Sequence, residues 1–357
     1  KMLLHMAQYP SDEISIDFID GELGVTDGTA GGTVLLMDVN QTPHSSNPSN
    51  FAYSQGTLFF SADDGFIGEE LWSSDGTEAG TVIVKDIDPG LGNSSPRYLT
   101  NVSGTLFFSA NDGTNGHELW KSSGTAAGTV MVEDINPGSG NSSPAWITDV
   151  NGSLFFLADD GTHGTELWSS DGTAAGTVLV KDIYAGYGSS LASYLTHVNG
   201  TLFFQAYEAM NGLELWRSDG TAGGTVMVKD INPGSGYSSP ENLTHVNGTL
   251  FFQADDGTTG QELWSSDGTV AGTVLVKDIN PGSGYSSPEN LTDVNGTLFF
   301  LADDGTNGRE LWKSDGTAAG TVLVKDINPG SGGASPDELT DVNGTLFFSA
   351  FDGTNGR

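Results

Sequence analysis

The 357-residue chain contains no cysteine, which removes disulfide scaffolds, thiolate metal sites and cysteine nucleophiles. Basic residues are scarce: 12 Lys and Arg stand against 46 Asp and Glu, a formal net charge of −34. Nucleic acid and anionic membrane both reward positive charge, so neither is an expected partner, whereas a divalent cation is. No apolar run approaches the roughly 20 residues of a membrane-spanning helix, and Lys1–Pro10 is too short and too interrupted for a secretory signal peptide. No segment of ordinary helix length carries a helical period. A nucleophile elbow, a Walker loop and an HExxH pair are all missing as well.

What the chain has in quantity is glycine, 51 residues, set on a fixed period. The string GTLFF or GSLFF begins at Gly56, Gly104, Gly152, Gly200, Gly248, Gly296 and Gly344, each interval being 48 residues. ELW keeps the same spacing through Trp72, Trp120, Trp168, Trp216, Trp264 and Trp312, with Gly24 where the first Trp falls. A β-branched string around GTVLVKDI ends at Asp38, Asp86, Asp134, Asp182, Asp230, Asp278 and Asp326. Self-similarity at such a period is the mark of a repeat architecture.

One unit, read from Leu291, divides into four short runs. Leu291–Val294 leads into Asn295-Gly296, which suits a tight hairpin turn. Thr297–Ala302 is apolar and of strand length; Asp303–Gly308 is turn chemistry; Glu310–Ser314 carries Leu311 and Trp312; Thr321–Ile327 is β-branched. Four up-and-down strands every 40 to 50 residues or so describe a β-propeller blade. Lettering the strands a to d, runs a and b end the chain without c and d, while Glu22–Thr26 and Thr33–Asp38 open it as c and d without a and b. The expected fold is therefore all-β: a seven-bladed propeller filling 22–357, its last blade closed by N-terminal c–d strands pairing with C-terminal a–b strands, after a lead-in over 1–21.

The recurring ELWxxDGTxxGT, as in Glu310–Thr317 with Gly320-Thr321, resembles the ELWxxDGT repeat of large, acidic bacterial surface or secreted proteins. The resemblance runs over nearly the whole chain from Glu22. It implies a propeller-like repeat and an extracellular or cell-surface setting, and implies no particular activity. The chain departs from the pattern at Gly24, at Ser123 in the DGT turn, and at Tyr207-Glu208 where other units carry an acidic pair.

The b–c and d–a loops emerge on one face of such a blade, and three acidic positions per unit gather there. In one unit they are Asp112, Glu118 and Asp134. Their equivalents are Asp64, Glu70, Asp86; Asp160, Glu166, Asp182; Asp256, Glu262, Asp278; and Asp304, Glu310, Asp326, with Asp352 joining Glu22 and Asp38 across the closure. Converging carboxylates beside loop carbonyls suit Ca²⁺, a hard cation that takes oxygen ligands. The competing reading is turn chemistry, in which Asp before Gly bonds its own backbone and Glu accepts a loop N–H. A second candidate set is Tyr98, Trp146 and Tyr194, immediately ahead of strand a in three successive units, as a stacking surface for sugars. A third, the strand-a ring of Asn101, Asp149, His197, His245, Asp293 and Asp341, offers two histidines to a transition metal or polar groups to a hairpin mouth. Identical acids in every unit argue against an active site. The expectation is a non-catalytic, Ca²⁺-stabilised extracellular propeller serving adhesion or assembly, with divalent cations and surface glycans or extracellular proteins as partners. A carbohydrate-binding propeller is the alternative, and a glycan-acting enzyme stands behind both.

Overall fold

The computed structural model describes residues 2–4, 21–26 and 29–356, so most of the expected lead-in lies outside the described residues. Contacts divide the chain into two compact units, Lys1–Leu179 and Val180–Arg357.

The described residues form strands and one short 3-10 turn, Ala30–Gly32, and no α-helix. The first unit opens with a three-stranded sheet of β1 (Met2–Leu4), β2 (Leu23–Thr26) and β3 (Val34–Met37). Two four-stranded sheets follow: β4–β7 (Ser49–Ser54, Thr57–Asp63, Glu69–Ser74, Val82–Lys85) and β8–β11 (Arg97–Val102, Thr105–Asn111, His117–Ser122, Val130–Glu133). The next sheet, β12–β15 (Ala145–Val150, Ser153–Asp159, Thr165–Ser170, Val178–Lys181), ends at the division. The second unit holds β16–β19 (Ser193–Val198, Thr201–Glu208, Gly212–Ser218, Val226–Lys229) and β20–β23 (Glu241–Val246, Thr249–Asp255, Gln261–Ser266, Val274–Lys277). It continues with β24–β27 (Glu289–Val294, Thr297–Asp303, Arg309–Ser314, Val322–Lys325) and a hairpin, β28–β29 (Asp337–Val342, Thr345–Ser349). Each four-stranded sheet is an antiparallel meander in chain order, so the tandem, propeller-like all-β reading stands.

The closing pair differs from the expectation. The edge of β2 that the sequence assigns to Thr345–Ala350 is met by β1, in the register Leu3↔Val25, and β29 pairs with β28 alone. Three residues of extended backbone suffice to satisfy that edge of a four-residue strand.

The Phe-Phe pair explains why strand b is apolar on both faces. Within the first unit, Phe107 packs with Leu154, Phe156 and Trp168 of the following sheet. Phe108 packs with Phe59, Leu71 and Val84 of the preceding one. Successive side chains point to opposite faces, so a strand sandwiched between two sheets needs bulk at both positions. The hairpin β28–β29 carries the same sequence with Phe347 57 % exposed, against 5 % for Phe107. Burial is therefore supplied by the neighbouring sheet, at roughly 1.5–3 kcal/mol for a fully covered side chain of this size.

ELW tryptophans are core, each at most 9 % exposed. Lys85 of one sheet lies over the Trp120 ring of the next, 5.4 Å from its centroid, while its Nζ donates to Thr129 O at 2.8 Å. Lys181, Lys229 and Lys277 repeat the arrangement over Trp216, Trp264 and Trp312. The position that would cover Trp168 in this series holds Glu133, which has no cation to offer.

The DGTxxGT segment is a hydrogen-bonded corner between c and d. Asp75 Oδ1 accepts from Thr77 N (2.9 Å) and Thr77 Oγ1 (2.7 Å), and Thr77 Oγ1 accepts from Gly80 N (3.0 Å). Gly76 has φ +86°, and a Cβ on Gly80 would sit 2.1 Å from Asp75 Oδ1, so both glycines are required by the backbone path. The Thr77 donors hold the Asp75 carboxyl below its usual range.

Candidate functional site

The three acidic positions have three different environments. Glu118, the second residue of β10, is fully buried. Its Oε2 accepts from Ile135 N at 2.9 Å and Ser142 Oγ at 2.6 Å, and its Oε1 from Ser142 N at 3.0 Å. The carboxylate thus ties the whole loop after β11 to the middle of the sheet. Glu70, Glu214 and Glu262 make the same cradle, as does Glu22 toward Val39 and Ser46. Glu310 accepts from Ile327, Asn328 and Ala334 backbone groups, the serine hydroxyl being absent there, and Glu166 is equally buried. Burial pushes the carboxyls of Glu70, Glu118, Glu214 and Glu262 up to about 7, against the Ser hydroxyl and backbone N–H donors that pull them down.

Asp112 is a turn former. Its Oδ1 accepts from Thr114 N and Asn115 N, its Oδ2 from Asn115 Nδ2, all between 2.8 and 2.9 Å. Asp64, Asp160, Asp256, Asp304 and Asp352 do the same in their turns. Burial works to raise Asp160, but the His163 ring and the Thr162 hydroxyl outweigh it and hold the carboxyl at about 2.

Asp134, just past β11, is satisfied on one side only. Oδ2 accepts from Gly138 N at 3.1 Å, whereas Oδ1 is buried without a partner. Asp86, Asp182, Asp230, Asp278 and Asp326 bury the same orphaned oxygen. A buried carboxylate oxygen with nothing to accept is costly, and water or an ion can satisfy it; the six ELW indole Nε1 groups are likewise buried without a partner. Among the described residues no group of three or more His, Asp and Glu is arranged to hold a metal ion by itself. A Ca²⁺ at this oxygen would draw its remaining ligands from backbone carbonyls and water, which the cation accepts. Asp38 is exposed beside its Glu22 cradle in the first unit, and Asp352 belongs to the second. Asp230, with Glu214, is not among the sequence candidates, because its unit lacks the Asp pair; the 48-residue step from Asp182 identifies it.

The aromatic candidates are not ahead of strand a but inside it. Tyr98, Trp146 and Tyr194 are the second residues of β8, β12 and β16, in the left-handed region at φ 54° to 57°. Each sits at a register shift, as between Arg97 and Thr100, where two residues of strand a oppose one on strand b. Such a bulge re-aims a side chain. Asn50, Asn242 and Asn290 occupy the same position elsewhere and tolerate that backbone; Tyr and Trp do so at a cost. Tyr98 and Trp146 are 48 % and 41 % exposed, and Tyr194 is half-buried.

The strand-a ring serves the hairpin mouth. His197 Nε2 and His245 Nε2 accept from the turn N–H of Gly200 and Gly248, as Asp149 and Asp293 do from Gly152 and Gly296.

No family model and no curated protein matches the sequence. Among solved structures the chain is similar to a computationally designed protein, Ika8, at 14 % identity and TM-score 0.39 over 86 % of this chain and 94 % of that one. It is similar to a puromycin hydrolase mutant at 14 % identity and TM-score 0.45, covering 92 % of this chain and 54 % of that one. It is similar to a prolyl endopeptidase at 14 % identity and TM-score 0.47, covering 85 % and 46 %. The chain thus spans about half of each of these two enzymes.

Proposed function

We propose that the chain is a non-catalytic, extracellular or cell-surface repeat propeller, stabilised by Ca²⁺ and serving adhesion or extracellular assembly. The observation that carries the reading is the orphaned Asp oxygen, repeated at six equivalent positions in a chain of net charge −34. The buried glutamates, already supplied with donors, act as framework, and their identical repetition provides no asymmetric centre for catalysis. Equilibrium dialysis with radioactive calcium tests it: several equivalents bound per chain, reduced stepwise by Asp134→Asn and Asp278→Asn, support the reading, and no binding at millimolar Ca²⁺ refutes it.

The architecture we infer is seven-bladed, with β2–β3 and β28–β29 forming the seventh sheet and β29 replacing β1 on β2. The exposed Phe347 and Phe348 support it, since their equivalents are buried in every complete sheet except at Phe299, which is half-buried in the sheet next to the hairpin. Transposing the register Phe59↔Ser73 predicts Phe347 opposite Val25. A Val25→Cys, Phe347→Cys double variant that forms a disulfide at monomer mass supports the closure; one that stays reduced, or links only between molecules, refutes it.

A second reading, carbohydrate binding by Tyr98, Trp146 and Tyr194, is favoured by the exposure of Tyr98 and Trp146, with Tyr194 half-buried, at a backbone geometry that Asn fits better. Glycan-array binding that Trp146→Ala abolishes would establish it.

A further inference from the structure

The sheet β16–β19 breaks the repeat in one direction. In the other units, an Asn or Asp in the d–a loop lies against the glycine of the following b–c turn; an added Cβ on Gly161 would stand 2.9 Å from Asn136 Oδ1, and on Gly257 2.8 Å from Asn232 Oδ1. Here the loop residue is Tyr184, the turn is Tyr207-Glu208-Ala209-Met210, and the partner loop carries Tyr237 where Asn93 and Asn141 stand elsewhere. The polar contact becomes an aromatic one. Tyr184 and Tyr207 have ring centroids 5.3 Å apart, tilted at 36°, and Tyr207 meets Tyr237 edge-on at 5.7 Å.

The rings lie close against glycines of the repeat: a Cβ on Gly188 would lie 2.0 Å from Tyr184 Cδ1, and one on Gly212 2.8 Å from Tyr237 Cδ1, as Gly92 and Gly140 stand against Asp88 and Asn136 in other units. Strand β17 runs one residue further than its counterparts and pairs Glu208 with Gly212, shortening the b–c connection to Ala209–Asn211. Asn211 Nδ2 donates to Glu208 Oε1 at 2.9 Å, which stiffens the hairpin. Met210 at its tip is 77 % exposed, Tyr237 54 %. Leu191, 61 % exposed, takes a left-handed position held by Ser95, Ser143 and Ser239 in other units.

We propose that Tyr184, Tyr207 and Tyr237, with the Glu208–Asn211 pair, form a binding platform for a neutral glycan. Stepped aromatic faces match the C–H faces of pyranose rings, while a carboxylate with spare lone pairs, an amide and phenolic hydroxyls match the sugar hydroxyls. No Lys or Arg stands in the loops 182–192 or 230–240 or in the turn 207–212, and the chain's charge repels polyanions. Those facts select a neutral glycan over an acidic one. The platform shares no residue with Tyr98, Trp146 and Tyr194, so it stands or falls separately from that reading.

The test is affinity electrophoresis of the full chain in native gels containing hydroxyethyl cellulose, galactomannan, laminarin or, as an acidic control, alginate. A triple variant, Tyr184→Asn, Tyr207→Asp and Tyr237→Asn, restores the residues of the regular units, which fold with them; Tyr237→Ala alone removes one ring that is 54 % exposed, with its edge contact to Tyr207. The expected result is retardation by at least one neutral polysaccharide and not by alginate, with affinity falling about tenfold or more in both variants, unchanged Tm, and no change in Trp146→Ala. Retardation by none of the neutral polymers, or retardation that both variants retain, overturns the proposal. Self-association of the wild type in sedimentation velocity that the triple variant abolishes, without polysaccharide binding, also overturns it and makes the patch a protein interface.

Discussion

Glu118 and Asp134 lie at neighbouring strand ends of one sheet and read alike in the sequence as candidate ligands, yet they are opposite cases. Glu118 is the more deeply buried, and every part of its carboxylate meets a donor. Asp134 has one oxygen bonded to the loop and one with no partner. A buried carboxylate supplied with N–H and O–H groups is a fastening, whereas one left short lacks a partner that water or an ion could supply. The repeat makes the comparison sixfold.

The sharpest way to break the contrast is to remove the fastening. Glu118→Ala leaves Ile135 N, Ser142 N and Ser142 Oγ buried without their acceptor and is expected to cost about 3 kcal/mol in urea unfolding. Asp112→Ala, which releases an exposed turn, should cost well under half as much. Equal losses would mean that the buried cradle has no special weight.

The same glutamates set the pH response. Burial raises Glu70, Glu118, Glu214 and Glu262 from 4.5 to about 7, so between these values the folded chain binds protons that the unfolded chain does not. Stability contributed in this way grows as pH falls from about 7 toward 4.5. Asp75 and Asp171, lowered by Thr hydroxyl donors, act in the opposite sense and lose their contribution below about 3.8. A metal-free unfolding midpoint that rises from pH 8 to pH 5 and falls again below pH 4 is expected, with the upper limb flattened by Glu118→Gln. A midpoint that falls steadily from pH 8 downward would contradict the assignment.

The smallest effect concerns the lysines that cover the tryptophans. Glu133 stands where the Lys85 series would place a cation over Trp168, the most exposed of the six at 9 %. Glu133→Lys should therefore stabilise by about 0.5–1 kcal/mol, and Lys229→Met should lose a similar amount, both read from chemical denaturation.

Much of this architecture is legible in the amino-acid sequence. The 48-residue period dictates the strand order, and ELW and DGTxxGT each have one job, a core tryptophan and a corner whose Asp, Thr and Gly bond one another. Three features are not legible there. The bulge at Tyr98 is set by pairing with strand b, which no local pattern around Tyr98 announces. The orphaned Asp134 oxygen depends on which atoms the loop covers. The Tyr184–Tyr207–Tyr237 contact joins residues 23 and 30 positions apart on three segments; in the sequence Tyr184 and Tyr207 are isolated departures from the repeat, and Tyr237 recurs as Tyr285.

The central claim, that the unsatisfied aspartate oxygens mark Ca²⁺ sites, is tested most directly by thermal unfolding in excess EDTA against millimolar Ca²⁺ at constant ionic strength, with Mg²⁺ as the control. At 100 times the dissociation constant each site would add about 2.7 kcal/mol. A rise of many degrees with Ca²⁺, exceeding that with Mg²⁺ and diminished in Asp134→Asn, is the predicted result. Superimposable curves in EDTA and Ca²⁺ would contradict it and leave those carboxylates as part of the loop framework alone.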